Sequence, residues 1–267
     1  MRSSPAEIWK FRHLIRRLIL SDLRTGVARR KLGVVWWLLD PILLLGVYWG
    51  VVVGILGAGR KADGPYPLFL FSGLLLWKWL SSSLSRSSTV YVGRAGLLKS
   101  VAVPLAALPM ATAFAGFIPW SIGAILLFAV SDFVGQDVAS LRVLQSVPLL
   151  LLSVGIITSI SVFVAVTTVY FRDLCGLLPH VLRAGYYLSP GLWSMEMLKD
   201  RVSNQLFSIY KILNPLALPM DSWRRVTFTG EMISLDSWII MTVHMLAFAG
   251  ISSALIWRYE SDVVRRL

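Results

Sequence analysis

Charge is scarce in this chain. Of its 267 residues, 15% are Asp, Glu, Lys or Arg, and only 14 are acidic. A soluble domain usually carries closer to a quarter. Cysteine occurs once, at Cys175, which excludes an intrachain disulfide and leaves a packing role. The three histidines (His13, His180, His244) are isolated, and no Cys/His/Asp group has metal-ligand spacing. The phosphate-cradling pattern G-x-x-x-x-G-K-[ST] is absent, so the chain does not read as an ATPase. The apolar runs hold only two acids, Asp40 and Glu196, far apart in sequence. A membrane-embedded transferase or hydrolase needs positioned acid–base groups or a metal-binding carboxylate cluster, and neither is present. No repeat, low-complexity tract or soluble domain stands out. No secretory signal is expected, because the first apolar run starts late and no small-residue cleavage site follows it.

What the chain has in abundance is apolar surface, at 56% of residues. Six apolar runs approach membrane-spanning length: about 35–57, 67–91, 109–131, 147–169, 176–197 and 238–258. Backbone groups in hydrocarbon must be satisfied within the segment, so each is predicted to be helical. The expected fold is an all-α membrane protein of one domain, residues 1–267, with six transmembrane helices.

The formal charge is +12, and its placement is uneven. Six spans put both termini on one side, together with the loops at 92–108 and 170–175. That side carries 15 cations against 5 acids; the other carries 8 against 7. The positive-inside rule therefore predicts cytoplasmic termini. A basic end adjoining a membrane span points to anionic lipid rather than to nucleic acid.

Residues 8–23, "IWKFRHLIRRLILSDL", place apolar residues at 8, 11, 14, 15, 18 and 19 and cations at 10, 12, 16 and 17. That pattern predicts an amphipathic helix in the membrane interface; the alternative is a flank that only orients the first span. The first span opens on the aromatic pair Trp36-Trp37. Asp40 lies just inside it, either at the headgroups or paired with a cation behind it, and Pro41 is tolerable so near a helix start. The second span has an apolar part of only 13 residues, Leu68–Leu80, followed by serines, Arg86 and Thr89. Lys78 falls near mid-depth, between Trp77 and Trp79. Cations at that depth usually face a bundle interior or a wet cavity. Lys78 is expected there, with an ion pair to Glu196 as the alternative, and Arg86 either lines the same space or snorkels to the interface.

Residues 93–109, "GRAGLLKSVAVPLAALP", read as a compact loop with a short helix. Its apolar residues (Leu97, Leu98, Val101, Val103) are expected to be exposed for docking. Ser189-Pro190-Gly191 should break the fifth span, and broken helices in membranes line cavities. The connection at 198–237 is too long for a turn, and short helices dipping into the outer leaflet fit it better.

Taken together, these segments resemble the membrane subunit of ABC type-2 exporters of bacterial surface polysaccharides, over nearly the whole chain. The resemblance rests on the amphipathic helix and the basic run into Leu32-Gly33-x-x-Trp36 and Asp40-Pro41. Gly73 with Trp77, Leu97-Leu98-Lys99 with Pro104 and Pro109, and Phe171-Arg172-Asp173 continue it. Tyr187-x-Ser189-Pro190, Asn214-Pro215-Leu216 and Trp223-Arg224 complete it. The chain departs from the usual pattern at Gly26-Val27 and at Val103-Pro104-Leu105.

The resemblance implies a permease that exports lipid-linked O-antigen, teichoic acid or capsule and performs no catalysis itself. It implies a homodimer in the bacterial inner membrane, with two ATPase subunits beneath that bind ATP and Mg; this chain needs no cofactor. Residues 94–103 would be the coupling helix, with Arg94, Leu97, Leu98, Lys99, Val101 and Val103 receiving the ATPase stroke. The lipid diphosphate would meet Arg24, Arg29, Arg30 and Lys31. The glycan would pass Tyr48, Trp49, Trp77, Lys78, Trp79, Arg86, Tyr186, Tyr187 and Trp193, because ring faces stack on sugars without demanding one registry. Two other readings share features with this one: a type-2 permease for a drug or smaller lipid, and a membrane enzyme acting on polyprenyl-phosphate lipids.

Overall fold

The computed structural model describes residues 9–28, 31–55, 66–101, 103–133, 144–229 and 231–266. Every regular element among them is helical. Four helices are long and apolar enough to cross a membrane. They are α3 (Tyr66–Ser87), α6 (Ala107–Phe133), α7 (Ser146–Tyr170) and α12 (Leu235–Arg266). Around them lie α1 (Arg12–Ala28), α2 (Trp36–Trp49), α4 (Val90–Gly93), α5 (Ala95–Ser100) and α8 (Leu174–Leu188). The chain between α8 and α12 forms α9 (Met195–Lys199), α10 (Asn204–Leu213) and α11 (Ala217–Arg224).

α3 packs on α6 and α7, and α7 packs on α12. The approach of α3 to α6 depends on glycine: a Cβ at Gly116 would lie 2.8 Å from the Trp79 ring. Small residues let membrane helices come this close. Polar bonds then tie the helices together. The Trp79 indole N–H donates to the Ala113 carbonyl at 2.9 Å, Ser87 and Thr112 share a 2.7 Å bond, and Ser252 donates to the Ser159 carbonyl at 2.7 Å. The main apolar cluster joins α3, α6, α7, α8, α11 and α12 through Leu74, Trp79, Trp120, Ile156, Tyr186, Trp223 and Met241. A second cluster at the N-terminal end gathers Leu18, Tyr91, Leu98, Leu105, Val162, Ile256 and Val263.

Two of the predicted spans take a different form. The first is α2, preceded by a 3₁₀ turn at Gly33–Val35 and continued by π-helix over Gly50–Ile55; residues 56 and 57 lie outside the described residues. The fifth stops short at Leu188. Its 15 residues rise about 22 Å, less than the roughly 30 Å hydrocarbon core. The reason is Pro190, which pushes the residue before it out of the α region; Ser189 is extended, with ψ 158°. The second span also ends earlier than 91. Its helix closes at Ser87, and a turn at Ser88-Thr89 precedes α4.

The N-terminal helix runs Arg12–Ala28, past the expected end at 23; Trp9 and Lys10 before it are also helical, and residue 8 lies outside the described residues. Its apolar stripe packs on the protein: Leu18 is buried, and Leu14, Ile15 and Ile19 are partly so.

Candidate functional site

Lys78 sits within α3 and faces α2. Its ammonium pairs with the Asp40 carboxylate at 2.8 Å, and the two side chains remain 41% and 47% exposed. Asp40 therefore takes a cation from the neighbouring helix; of the basic run behind it, Arg29 and Arg30 lie outside the described residues. The alternative partner for Lys78, Glu196, is engaged elsewhere: it pairs with Arg225. Asp40 also lines an open groove of about 580 Å³ with Lys31, Leu32 and Trp36.

Of the four entrance cations, Arg24 and Lys31 are exposed, and Arg29 and Arg30 lie outside the described residues. The expected row of channel aromatics is not brought together on one open surface. Trp77, Trp79 and Tyr186 are 9%, 2% and 5% exposed. Trp79 packs on Phe117 and Trp120 with ring centres 5.5 and 5.3 Å away, and Trp77 lies 5.7 Å from Tyr186. Close helix packing, which Gly116 and Gly185 permit, draws these large rings into the bundle. Tyr187 is exposed, and Trp193 beside it donates its indole N–H to the Tyr187 carbonyl at 3.1 Å. The side chains of Tyr48 and Trp49 lie outside the described residues. Arg86 is half-buried and donates from Nε to the Ser82 carbonyl at 3.2 Å.

The expected coupling segment has two faces. Leu98 and Val103 are buried in the second cluster and Leu97 packs against it, because α5 folds back onto α1 and α12. Their expected exposure does not hold; a charge at Leu98 would disrupt a core rather than a surface. Lys99 and Val101 point outward, near the exposed Val92. Arg94 forms an ion pair with Asp22 of α1, so the loop is fastened to the N-terminal helix. The contact is single-pronged: Asp22 Oδ2 and Arg94 Nη1 are buried and lack a hydrogen-bond partner.

Sequence reasoning assigned no role to Arg224, yet it organises the other end of the bundle. Its side chain is buried, at 5% exposure. It donates to the carbonyls of Pro190, Gly191 (2.7 Å) and Trp193 (3.2 Å) and to Ser72 Oγ (3.3 Å). Its guanidinium also lies 3.8 Å from the Phe69 ring centre. Helix α8 ends at Leu188, and Arg224 satisfies the carbonyls freed just beyond that break. A Cβ at Gly73 would stand 2.3 Å from Arg224 Nη2, so the glycine makes room for the guanidinium. The available signal was the co-occurrence of Gly73, Ser189-Pro190 and Trp223-Arg224, which were read as separate motifs.

Next to it, Arg225 gathers Asp221 (2.8 Å), Glu231 (2.7 Å) and Glu196. Arg225, Asp221 and Glu196 border a cavity of about 380 Å³ that Lys199, Lys211 and Phe207 help to line. Burial pushes the Asp221 carboxyl up from its ordinary range, against the pull of Arg225. Among the described residues, no three His, Cys, Asp or Glu side chains are grouped to hold a metal ion.

The chain is similar to the O-antigen export system permease protein RfbA of Myxococcus xanthus. The two are 24% identical over 255 residues, covering 96% of this chain and 93% of the relative. A protein of the same name from Klebsiella pneumoniae is 25% identical over 238 residues, 86% of each chain. The chain is thus similar, over most of its length, to permeases named for O-antigen export. Polysialic acid transport protein KpsM of Escherichia coli is 24% identical over 245 residues, covering 89% of this chain and 91% of that relative. No family model matches the sequence. The alignment to these permeases takes in nearly all of the helical bundle, the fastened loop at Arg94 and the Arg224 node alike.

Proposed function

We infer that the chain is the permease subunit of an ATP-driven ABC exporter carrying a lipid-linked polysaccharide across the bacterial cytoplasmic membrane. The polysaccharide is O-antigen, capsule or teichoic acid. The observation that carries this reading is similarity to export permeases over 96% of the chain. Four span-length apolar helices support it. In this reading α2 with its π-helical continuation supplies a further crossing, and α8 with α9 supplies another. That makes six, with both termini on the cytoplasmic side, which is richer in Lys and Arg. Helix α1 lies at the membrane interface with its basic face toward lipid headgroups.

Two copies enclose the path. The exposed apolar faces of α2 (Leu43, Val47) and α8 (Leu177, Val181, Leu188) support an isologous contact. Two ATPase subunits, which bind ATP and Mg, dock where Lys99 and Val101 point outward. The diphosphate of the lipid anchor is caught by Arg24, Arg29, Arg30 and Lys31. Tyr187 and Trp193 remain ring platforms for the moving glycan, with Tyr48 and Trp49 beside them; Trp77, Trp79 and Tyr186 serve packing.

Coexpression with the cognate ATPase tests the reading. The two proteins are expected to copurify and hydrolyse ATP, while this chain alone hydrolyses none. Robust hydrolysis by this chain alone contradicts the assignment.

A further inference from the structure

The accessible face of α3 changes character along its length. From Leu70 to Trp77 every side chain is buried. Beyond that point the positions that reach the surface are Lys78, Ser81, Ser82, Ser85 and Arg86, with Thr89 just past the helix end. Lys78, Ser81, Ser82 and Ser85 recur at helical spacing, so one polar face runs from mid-helix to the C-terminal end of α3. Exposed positions on α7 have the opposite composition: Val147 and Leu151 are apolar, as a lipid-facing surface requires.

Asp40 of α2 closes over the upper end of this face through its ion pair with Lys78. A lipid-facing pair so nearly half exposed would be costly. The serines are adapted to a nonaqueous helix in one respect: Ser81 Oγ donates to the Lys78 carbonyl (3.3 Å) and Ser82 Oγ to the Trp79 carbonyl (3.1 Å). Their protons are spent on the helix, and their lone pairs point away from it. The face thus offers hydroxyl acceptors, a carboxylate acceptor and an ammonium donor.

We propose that Asp40, Lys78, Ser81, Ser82, Ser85 and Thr89 form a saccharide-binding track in the inner half of the transport path. This rests on the export reading and names the surface within it that reads sugar rather than phosphate. The Asp40–Lys78 pair is neutral overall and presents a carboxylate, so the pair itself draws a diphosphate less than the neighbouring cations Lys31 and Arg86 do. It suits the hydroxyls of a saccharide, which donate to Asp40 and the serine oxygens and accept from Lys78. Because the acceptors repeat along one line, a polyhydroxylated chain exchanges one set of bonds for the next as it advances. The track is made of hydroxyls and one charge pair, not of aromatic rings.

The test uses the full permease–ATPase complex in proteoliposomes, with Cys175→Ser as background. Single cysteines replace Ser81 and Ser85, with Leu151→Cys as a lipid-face control. A membrane-impermeant thiol reagent is expected to label positions 81 and 85 about tenfold faster than position 151, because only a wetted face admits it. Lipid-linked glycan should slow that labelling, and the same lipid diphosphate without sugars should not. In parallel, Asp40→Asn/Lys78→Met should keep the complex assembled yet lower glycan export about tenfold, the loss expected for a hydrogen bond to a charged group. Absence of labelling at 81 and 85 overturns the track, as does equal protection by the sugar-free lipid. Unchanged export by the double variant overturns it as well. Failure of the unsubstituted complex to export any glycan is a different result, and it overturns the export reading itself.

Discussion

Arg224 holds the first half of α3, Arg94 holds the loop that follows α4, and they do so with different chemistry. Among the described residues, Arg224 forms no ion pair within 4 Å, although Asp221 and Glu196 act on it from farther away. It spreads its charge over three backbone carbonyls, one serine and an aromatic face, and it is almost fully buried. Arg94 relies on one carboxylate through one contact, with a second nitrogen and a second oxygen left over. The first arrangement is over-determined: moving the α8 break would strand several acceptors at once. The second can separate by breaking a single pair. The difference lies in how many contacts must break before each fastening gives way.

The largest effect is predicted for Arg224→Ala. It would leave the Pro190 and Gly191 carbonyls and Ser72 buried without their donor, at a cost of about 3–5 kcal/mol. Thermal unfolding in detergent should show a clear drop in midpoint, and Arg224→Lys should recover only part of it, because an ammonium cannot replace the planar fork. A midpoint unchanged in Arg224→Ala would make the two arginines equivalent and remove the comparison.

A smaller effect is predicted for Arg94→Ala. The lost pair and the stranded Asp22 carboxylate cost about 1–3 kcal/mol. The more telling readout is coupling: ATP hydrolysis by the complex should continue while export falls, because α5 no longer moves with α1. Adding Asp22→Asn removes the stranded charge and should restore stability without restoring coupling. If hydrolysis and export fall together in both variants, the pair is structural only.

The architecture was legible in the apolar runs, and the limits of that legibility are physical. Helices α6 and α7 match the expected spans within two residues at each end because long uniform apolar runs leave no choice of structure. The stop at Ser189 was legible because proline acts locally. Side-chain direction was not. Trp77 and Trp79 look the same in sequence whether they line a path or fill a core, and the glycines of a neighbouring helix decide which. Leu98 read as an exposed loop residue because the surface that covers it, α1 with Leu18, is nearly eighty positions away. The partner of Lys78 was missed for the same reason. Composition marked Asp40 and Lys78 as misplaced charges, but only the packing of α2 against α3 brings them within 2.8 Å.

Export of a lipid-linked polysaccharide is measured most directly by transport itself. The permease and its ATPase are reconstituted so that ATP is supplied on one face, and lipid-linked glycan appearing on the other is counted with a glycan-specific lectin. Accumulation is expected to require ATP, to cease when the ATPase subunit is omitted, and not to be reproduced when the lipid diphosphate is offered without sugars. Contradiction would be a complex that hydrolyses ATP and moves a small lipid or drug while lipid-linked glycan stays where it was loaded.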